Sequence, residues 1–325
     1  MFRTELNTKS STQKICLNQP IITVGSCFSD TIGQKLYNHK FDVLCNPFGT
    51  VFNPESIFKL IRRSIEGPKV TEQELIMNGE VYYHYDFHSD FSSTSPTQLV
   101  ANINHQLSVF QEKVKNAHIL ILTFGTAWVY HLKERGDIVS NCHQMPADLF
   151  DRSLLSNKQI LKEFESFTKL LKSFNPVLNT VLTVSPVRHT RDGLEQNQVS
   201  KATLRLATHY MQQENEQVEY FPSYELILDD LRDYRFYKKD LIHPSEEAVD
   251  YVWNKFQQTY FDEATQHFVS KWSSVLKAIN HKAFHPHTQA HQNFIAKTIN
   301  QLKELSKFVD ISREMEQVKK QLANE

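Results

Sequence analysis

Two patterns of apolar residues alternate along this chain: short unbroken runs, and longer stretches in which an apolar side chain returns every three or four positions. The runs predict strands buried on both faces, and the stretches predict amphipathic helices. Residues 20–25 form the first run, followed by a helix over 30–38 in which Ile32 and Leu36 lie four apart. A short strand over 41–45 comes next. The clearest buried strand is 117–123, preceded by a helix over 98–115. The theme repeats at 178–184 after a helix over 157–174, and at 217–221 after a helix over 196–213. Strands alternating with helices predict a parallel sheet wrapped on both faces, a three-layer α/β/α domain.

Two departures from that rhythm set the domain organisation. Residues 55–96 form an insertion in which 74–77 and 80–83 flank Asn78-Gly79, a two-residue type I′ hairpin signal. A second hairpin runs over 128–139 across Arg135-Gly136-Asp137. Beyond about residue 260 the pattern is helical without strands, which divides the chain into an α/β domain over 1–260 and a helical extension over 261–325. From Phe294 onward Ile295, Ile299, Leu302, Leu305, Phe308 or Val309, Met315, Val318 and Leu322 make one apolar stripe. Such a stripe packs on the domain's own core or on a partner, so it is a candidate homo-oligomer contact.

Charge and composition narrow the classes. With 36 Lys+Arg against 37 Asp+Glu, the net charge of −1 gives no overall field for nucleic acid or an acidic membrane, so neither is expected as a partner. No apolar run reaches the ~18 residues of a membrane span, and the first residues lack the apolar core of a secretory signal, which points to the cytoplasm. Cys16, Cys27, Cys45 and Cys142 lie far apart, as free thiols would. The 8 glycines are few against the roughly 23 that average usage gives, so each invites its own explanation.

The candidate chemistry sits at strand ends. Val24-Gly25-Ser26-Cys27-Phe28-Ser29-Asp30 follows the first strand and opens a helix, at the level where α/β sheets bind ligands. Free backbone N–H groups of that helix would face an anion forming on a group attached to Ser26, although a serine there is also a common cap. Far downstream, Asp240-Leu241-Ile242-His243-Pro244-Ser245 precedes another helical pattern. An aspartate three residues before a histidine can fold back on the ring's Nδ1, leaving Nε2 as a general base.

A serine after the first strand with Asp-x-x-His before the domain's last helix resembles the GSCFA-domain proteins, a branch similar to the SGNH/GDSL hydrolases. The resemblance rests on Gly25-Ser26-Cys27-Phe28-Ser29, whose last residue departs from the family's alanine, and on Asp240-Leu241-Ile242-His243-Pro244. It implies a flavodoxin-like sheet order and ester hydrolysis with Ser26 as nucleophile, His243 as base and Asp240 orienting it. It needs neither metal nor cofactor, and its substrate would be a small acyl ester such as an O-acylated carbohydrate. Cys45-Asn46-Pro47-Phe48-Gly49 resembles the second family block, which makes Gly49 a backbone donor to the oxyanion. Phe124-Gly125-Thr126 stands where wider SGNH enzymes carry Gly-x-Asn, and the asparagine is missing. Thr126, or Asn141 in the Asn141-Cys142-His143 segment, is then the candidate third donor, with His143 beside it.

Other clusters remain open. Arg188 or Arg191, after the strand ending near Ser185, can hold a carboxylate or phosphate. Cys27 beside Ser26 is a rival nucleophile, because a helix N-terminus lowers a thiol's pKa; Ser185 is another cleft hydroxyl. His84-x-Asp86-x-His88-x-Asp90 suits a lid segment better than a metal site, and His281, His285, His287 and His291 suit a solvated linker. The same acyl-enzyme would serve an acyltransferase. A binding module that has lost the chemistry, or a scaffold acting through the C-terminal stripe, would also fit the chain.

Overall fold

The computed structural model describes residues 4–281 and 287–323. Its elements run β1 (Ile21–Gly25), α1 (Cys27–Asn38), β2 (Val43–Cys45), α2 (Pro54–Glu66), β3 (Ile76–Asn78), β4 (Val81–Tyr83), α3 (Pro96–Asn116) and β5 (Ile119–Phe124). Then follow β6 (Trp128–Leu132), β7 (Ile138–Val139), β8 (Phe150–Leu154), α4 (Asn157–Phe174), β9 (Asn179–Val184), α5 (Gly193–Gln213), β10 (Val218–Tyr220) and the short turn α6 (Ser223–Glu225). The chain closes with α7 (Glu246–Tyr260), α8 (Glu263–Ile279), α9 (Gln289–Leu305) and α10 (Ser312–Ala323).

Five strands form one parallel sheet in the order β10-β9-β5-β1-β2. Counted among themselves these are strands 5-4-3-1-2, the flavodoxin-like order with its switch point between β1 and β5. Strand side chains alternate between two cores. Ile22, Val24, Leu120, Leu122, Phe124, Leu182 and Val184 enter the core that α2 to α5 cover, where Phe58, Phe110, Phe164 and Phe167 lie. Ile21, Ile119, Ile121 and Val181 enter the opposite core, with Phe28 of α1, Trp253 and Phe256 of α7, Trp272 of α8 and Leu302 of α9. A sheet buried on both sides needs unbroken apolar runs, which is why 119–124 carries so few polar residues.

Helix starts follow local chemistry. Asn53 accepts the Ser56 amide at 2.8 Å with Pro54 next to it, and Ser95 precedes Pro96 in the same way. Proline costs nothing at a first helical position because that N–H has no helical acceptor. Ser156 and Gln159 form a reciprocal capping box.

Four expectations need correction. The segment 55–96 is not one insertion, because α2 occupies its first part and is a core helix of the α/β sandwich, with Phe58, Leu60 and Ile61 fully buried. The hairpin closes over Gly79 and Glu80, since Asn78 pairs with Val81; of the turn residues only Gly79 has positive φ, 63°, so the I′ requirement at both positions is not met. The second hairpin gains a third strand, β8, antiparallel to β6. The C-terminal stripe is two helices rather than one, because Asp310 accepts the Ser312 amide and hydroxyl at 3.0 and 2.6 Å and starts α10 afresh. Ile295, Leu302, Leu305 and Val318 are buried against the chain's own second core, as the first of the two readings of the stripe expects. Phe308, at 59% exposure, falls in the break between the helices. The side chain of Leu322 and all of His285 lie outside the described residues.

Gly25 shows why glycine is required at one strand end. Its φ is +149°, and a Cβ there would lie 2.2 Å from the Thr123 carbonyl oxygen on β5. Gly79 also has positive φ, but nothing lies within 4 Å of its missing Cβ. Gly25→Ala should therefore cost at least ~2–3 kcal/mol, strain and backbone clash together, while Gly79→Ala should cost about 1 kcal/mol. Urea unfolding of both variants measures the contrast, and equal losses would remove the clash argument.

Candidate active site

At the carboxyl end of β1 the chain turns through Gly25 into α1. The Ser26 amide donates to the Thr123 carbonyl at 3.1 Å, and Gly25 donates to Asn46 Oδ1 at 2.9 Å. Asn46 in turn donates to Asp30 Oδ1 at 2.7 Å, and Thr50 Oγ1 donates to Asp30 Oδ2 at 3.2 Å. The 45–50 block is thus tied to the serine turn through side chains. Ser26 occupies the N-cap position of α1 but makes no side-chain cap. Its hydroxyl is buried and has no hydrogen-bond partner among the described residues.

The second half of the site is a loop with local support. Asp240 Oδ2 accepts from His243 Nδ1 at 2.8 Å, and Asp240 Oδ1 accepts the Ile242 and His243 amides at 2.9 and 3.0 Å. Those amides, first His243's and then Ile242's, hold the Asp240 carboxyl well below the usual carboxylate range. Leu241 takes positive φ, 57°, to close this turn. Arg188 braces it from outside: its guanidinium lies 4.2 Å over the Tyr237 ring and donates to the Leu241 carbonyl at 3.2 Å. The carboxylate or phosphate partner expected for Arg188 is therefore replaced by this loop. His243 and Cys27 line one cleft of about 830 Å³, whose wall also carries Gln34, Lys35, Asn38, Lys238, Glu246 and Asp250.

The donors expected for an oxyanion are engaged elsewhere. Gly49 N–H donates to the Asn46 carbonyl at 2.9 Å, because positive φ at both residues (72° and 39°) curls the block into a turn. Thr126 Oγ1 faces α5, 3.0 Å from Ser200 Oγ, and accepts the Trp128 amide at 3.1 Å. Asn141 donates to Ser89 Oγ at 3.1 Å and accepts the His143 amide at 2.9 Å. His143 is buried between Ser89 and the His84 carbonyl, 3.2 and 3.0 Å from its ring nitrogens, and stacks on Tyr83; burial keeps its pKa below the ordinary histidine value. None of these residues lines the cleft that His243 and Cys27 share, and His88 packs on Gly49, where a Cβ would lie 2.3 Å from the His88 Cβ.

The rival nucleophiles are unfavourably placed. Burial, then the Asp30 carboxylate, pushes the Cys27 thiol up rather than down. Ser185 Oγ is buried and accepts the Val187 amide at 3.3 Å. No cluster of three or more His, Cys, Asp or Glu fit to hold a metal is found among the described residues.

Three residues not singled out from sequence lie at the centre. Lys201 of α5 is fully buried and donates to the Gly125 and Ser185 carbonyls at 2.6 and 2.7 Å, joining the ends of β5 and β9. Burial lowers its amine to about 7. Phe52 and His189 meet edge to face, ring centroids 5.3 Å apart. A side chain on Gly125 would strike His189 Nε2, Phe52 and Ser26 Cβ together, at 3.1, 3.2 and 3.2 Å from its Cβ. Lys201 lies on the face of α5 that the structure buries, with Ser200 and Leu204, and no local signal separates it from a surface lysine.

The fold is a flavodoxin-like α/β/α sandwich with a serine turn after its first strand and an Asp-His pair before its last sandwich helix. The chain belongs to the GSCFA family, whose pattern matches residues 20–256, and residues 272–324 match the GSCFA domain protein, C-terminal domain. Among curated proteins, none matches the sequence. Similar solved structures include a carbohydrate esterase family 3 protein from Talaromyces cellulolyticus, 7% identical over 78% of this chain and 99% of that one, with a TM-score of 0.33. Another is an acetyl xylan esterase from the rumen bacterium Butyrivibrio proteoclasticus, 10% identical over 76% of this chain and 66% of that one, with a TM-score of 0.35. Similarity this distant carries no chemistry across. No helix among the described residues is long and apolar enough to cross a membrane.

The buried lysine makes stability depend on pH. A free lysine titrates near 10.5 and Lys201 at about 7, so between those values the unfolded chain binds a proton that the folded chain does not. Stability contributed by this group therefore rises with pH from about 7 to about 10, by at most roughly 4–5 kcal/mol. Urea titrations at several pH values should show that rise in the wild type and lose it in Lys201→Met; parallel curves would mean that the amine stays charged.

Proposed function

We propose that this protein is a serine esterase of SGNH type that cleaves a small acyl ester through an acyl-Ser26 intermediate. The observation that carries the reading is the buried Ser26 hydroxyl, which stands at a helix N-terminus yet is withheld from capping. Its neighbour Cys27 shares a cleft with an Asp240-oriented His243. In the proposed reaction Ser26 Oγ attacks the ester carbonyl while His243 Nε2 takes its proton. Asp240 holds Nδ1 protonated and stabilises the imidazolium. His243 then protonates the departing alcohol, and water, deprotonated by the same ring, releases the acid. Because Ser26 is fully buried, ester entry requires the packing that covers it to open. A cleft wall of amide, amine and carboxylate groups suits an alcohol half rich in hydroxyls, which favours an O-acylated carbohydrate.

A non-catalytic binding module is the second reading. It is favoured by the engagement of both the Ser26 and Gly49 amides with backbone carbonyls. Intact-mass labelling with a fluorophosphonate separates the two. The esterase reading expects one adduct on the native chain, its rate of formation lowered at least ~10³-fold by Ser26→Ala or His243→Ala and unaffected by Cys27→Ser. Ser26→Ala removes no hydrogen bond and should leave thermal stability intact, so lost labelling would report chemistry. Absence of any adduct on folded native protein would leave the binding module. If labelling occurs, partition of the acyl group between water and an added sugar distinguishes hydrolysis from acyl transfer.

A further inference from the structure

We infer that His189 supplies the oxyanion donor that the chain lacks at Thr126, its Nε2–H pointing to the acyl oxygen on Ser26. The inference rests on the esterase reading and starts from an unfilled position. The asparagine of Gly-x-Asn is absent, and Thr126, Asn141 and the Gly49 amide all have other partners. His189 Nε2 is buried and, among the described residues, has no hydrogen-bond partner. Ser26 Oγ is in the same condition. Two orphaned polar atoms, both buried and both beside Gly125, are costly unless a third group meets them. Gly125 lets them lie close together: a Cβ built on it would fall 3.1 Å from Nε2 and 3.2 Å from Ser26 Cβ, tighter than ordinary contact.

The ring is held for that task. Its backbone amide donates to Asn197 Oδ1 at 2.9 Å, Phe52 packs edge to face against it, and Arg188 on the preceding residue is anchored to the 240–243 loop. The charged and titratable neighbours that bear on it are Lys201, His243 and Arg152. All three disfavour a second positive charge, and together with burial, the largest cause, they bring its pKa down to about 4. A neutral imidazole keeps one N–H, so it can donate to an oxyanion without giving the proton away. It would also be a feeble base, which leaves proton transfer to His243.

The test uses the full chain, with p-nitrophenyl acetate as substrate. His189→Phe fills the space without a donor, and His189→Gln restores one. The expected result is a fall in kcat of roughly 10²–10³-fold for His189→Phe with KM within about twofold, and recovery of at least about tenfold by His189→Gln. A folded His189→Phe with kcat within about threefold of wild type overturns the inference, as does a His189→Gln that stays as slow as His189→Phe. An acidic limb of kcat/KM near pH 4 that disappears with His189 would make it the base and also overturns it. Should both variants unfold, ¹⁵N spectra of the wild-type imidazoles decide: phosphonylation of Ser26 must shift the His189 Nε2–H resonance, and an unmoved resonance rules the donor out. A native chain that neither turns over nor labels overturns the esterase reading and the donor with it, whereas an active chain indifferent to His189 overturns the donor alone.

Discussion

An amine sealed inside the protein holds the site in shape. Lys201 is tolerated there because two backbone carbonyls, Gly125 O and Ser185 O, lie just past the ends of β5 and β9 and have run out of sheet partners. An unpaired buried carbonyl costs about as much as a lost hydrogen bond, and one side chain satisfies two of them. A neutral amine carries two N–H groups, so the match survives loss of the proton. The consequence is geometric. The loops after β5 and β9 are fixed at one separation, and those loops carry Gly125 and His189, which converge on Ser26. From the same β9 loop Arg188 reaches Tyr237 and the Leu241 carbonyl, so the position of the Asp240–His243 turn follows from the lysine at one remove.

The serine turn is fixed from the other side by Asp30. Acidic residues are favoured in the first turn of a helix, where unpaired N–H groups concentrate positive potential. Here the carboxylate also accepts from Asn46 and Thr50, which brings the 45–50 block against Gly25. Asn46 passes the constraint on by accepting the Gly25 amide. The arrangement has a chemical cost, because the Gly49 and Ser26 amides that could meet an oxyanion are the ones that hold the turn. Rigidity of the nucleophile's backbone and supply of backbone donors compete for the same groups.

Much of this frame was legible in the sequence, for physical reasons that can be named. Buried parallel strands must be apolar on both faces, so 119–124 and 179–184 could be read directly, and Ser26, Asp240 and His243 stood out because strand-end and loop-to-helix positions are short-range features. Asp240 and His243 meet within one turn, and the spacing alone suffices for that contact. What stayed hidden depends on long-range placement. Whether α2 belongs to an insertion or to the core depends on where Phe58 packs, and its amphipathic pattern is the same in both cases. The fate of the Gly49 amide depends on positive φ at Asn46, a residue that visits that region only occasionally. Lys201 has the sequence appearance of a surface lysine, and its two carbonyl partners lie 76 and 16 residues away. Nothing local distinguishes His189 from Arg188, because no short-range pattern says which of two adjacent polar side chains turns inward.

The two halves of the site differ in their exposure to water, and this decides where electrostatics count. The Asp240–His243 pair is nearly half exposed, with side-chain exposures of 45% and 43%, so water screens its attraction and its main contribution is orientation. Ser26 Oγ and His189 Nε2 are both out of contact with solvent. Charge that develops beside them is felt through a low local dielectric, where each dipole is worth several times its value in water. On the proposed chemistry the imidazolium forms on the wet side and the oxyanion on the dry side. A well-aimed N–H therefore matters most at the buried oxygen, and an unfilled donor position would be costliest there. His189 Nε2, buried beside Gly125 and without a hydrogen-bond partner among the described residues, is the group proposed to meet that demand.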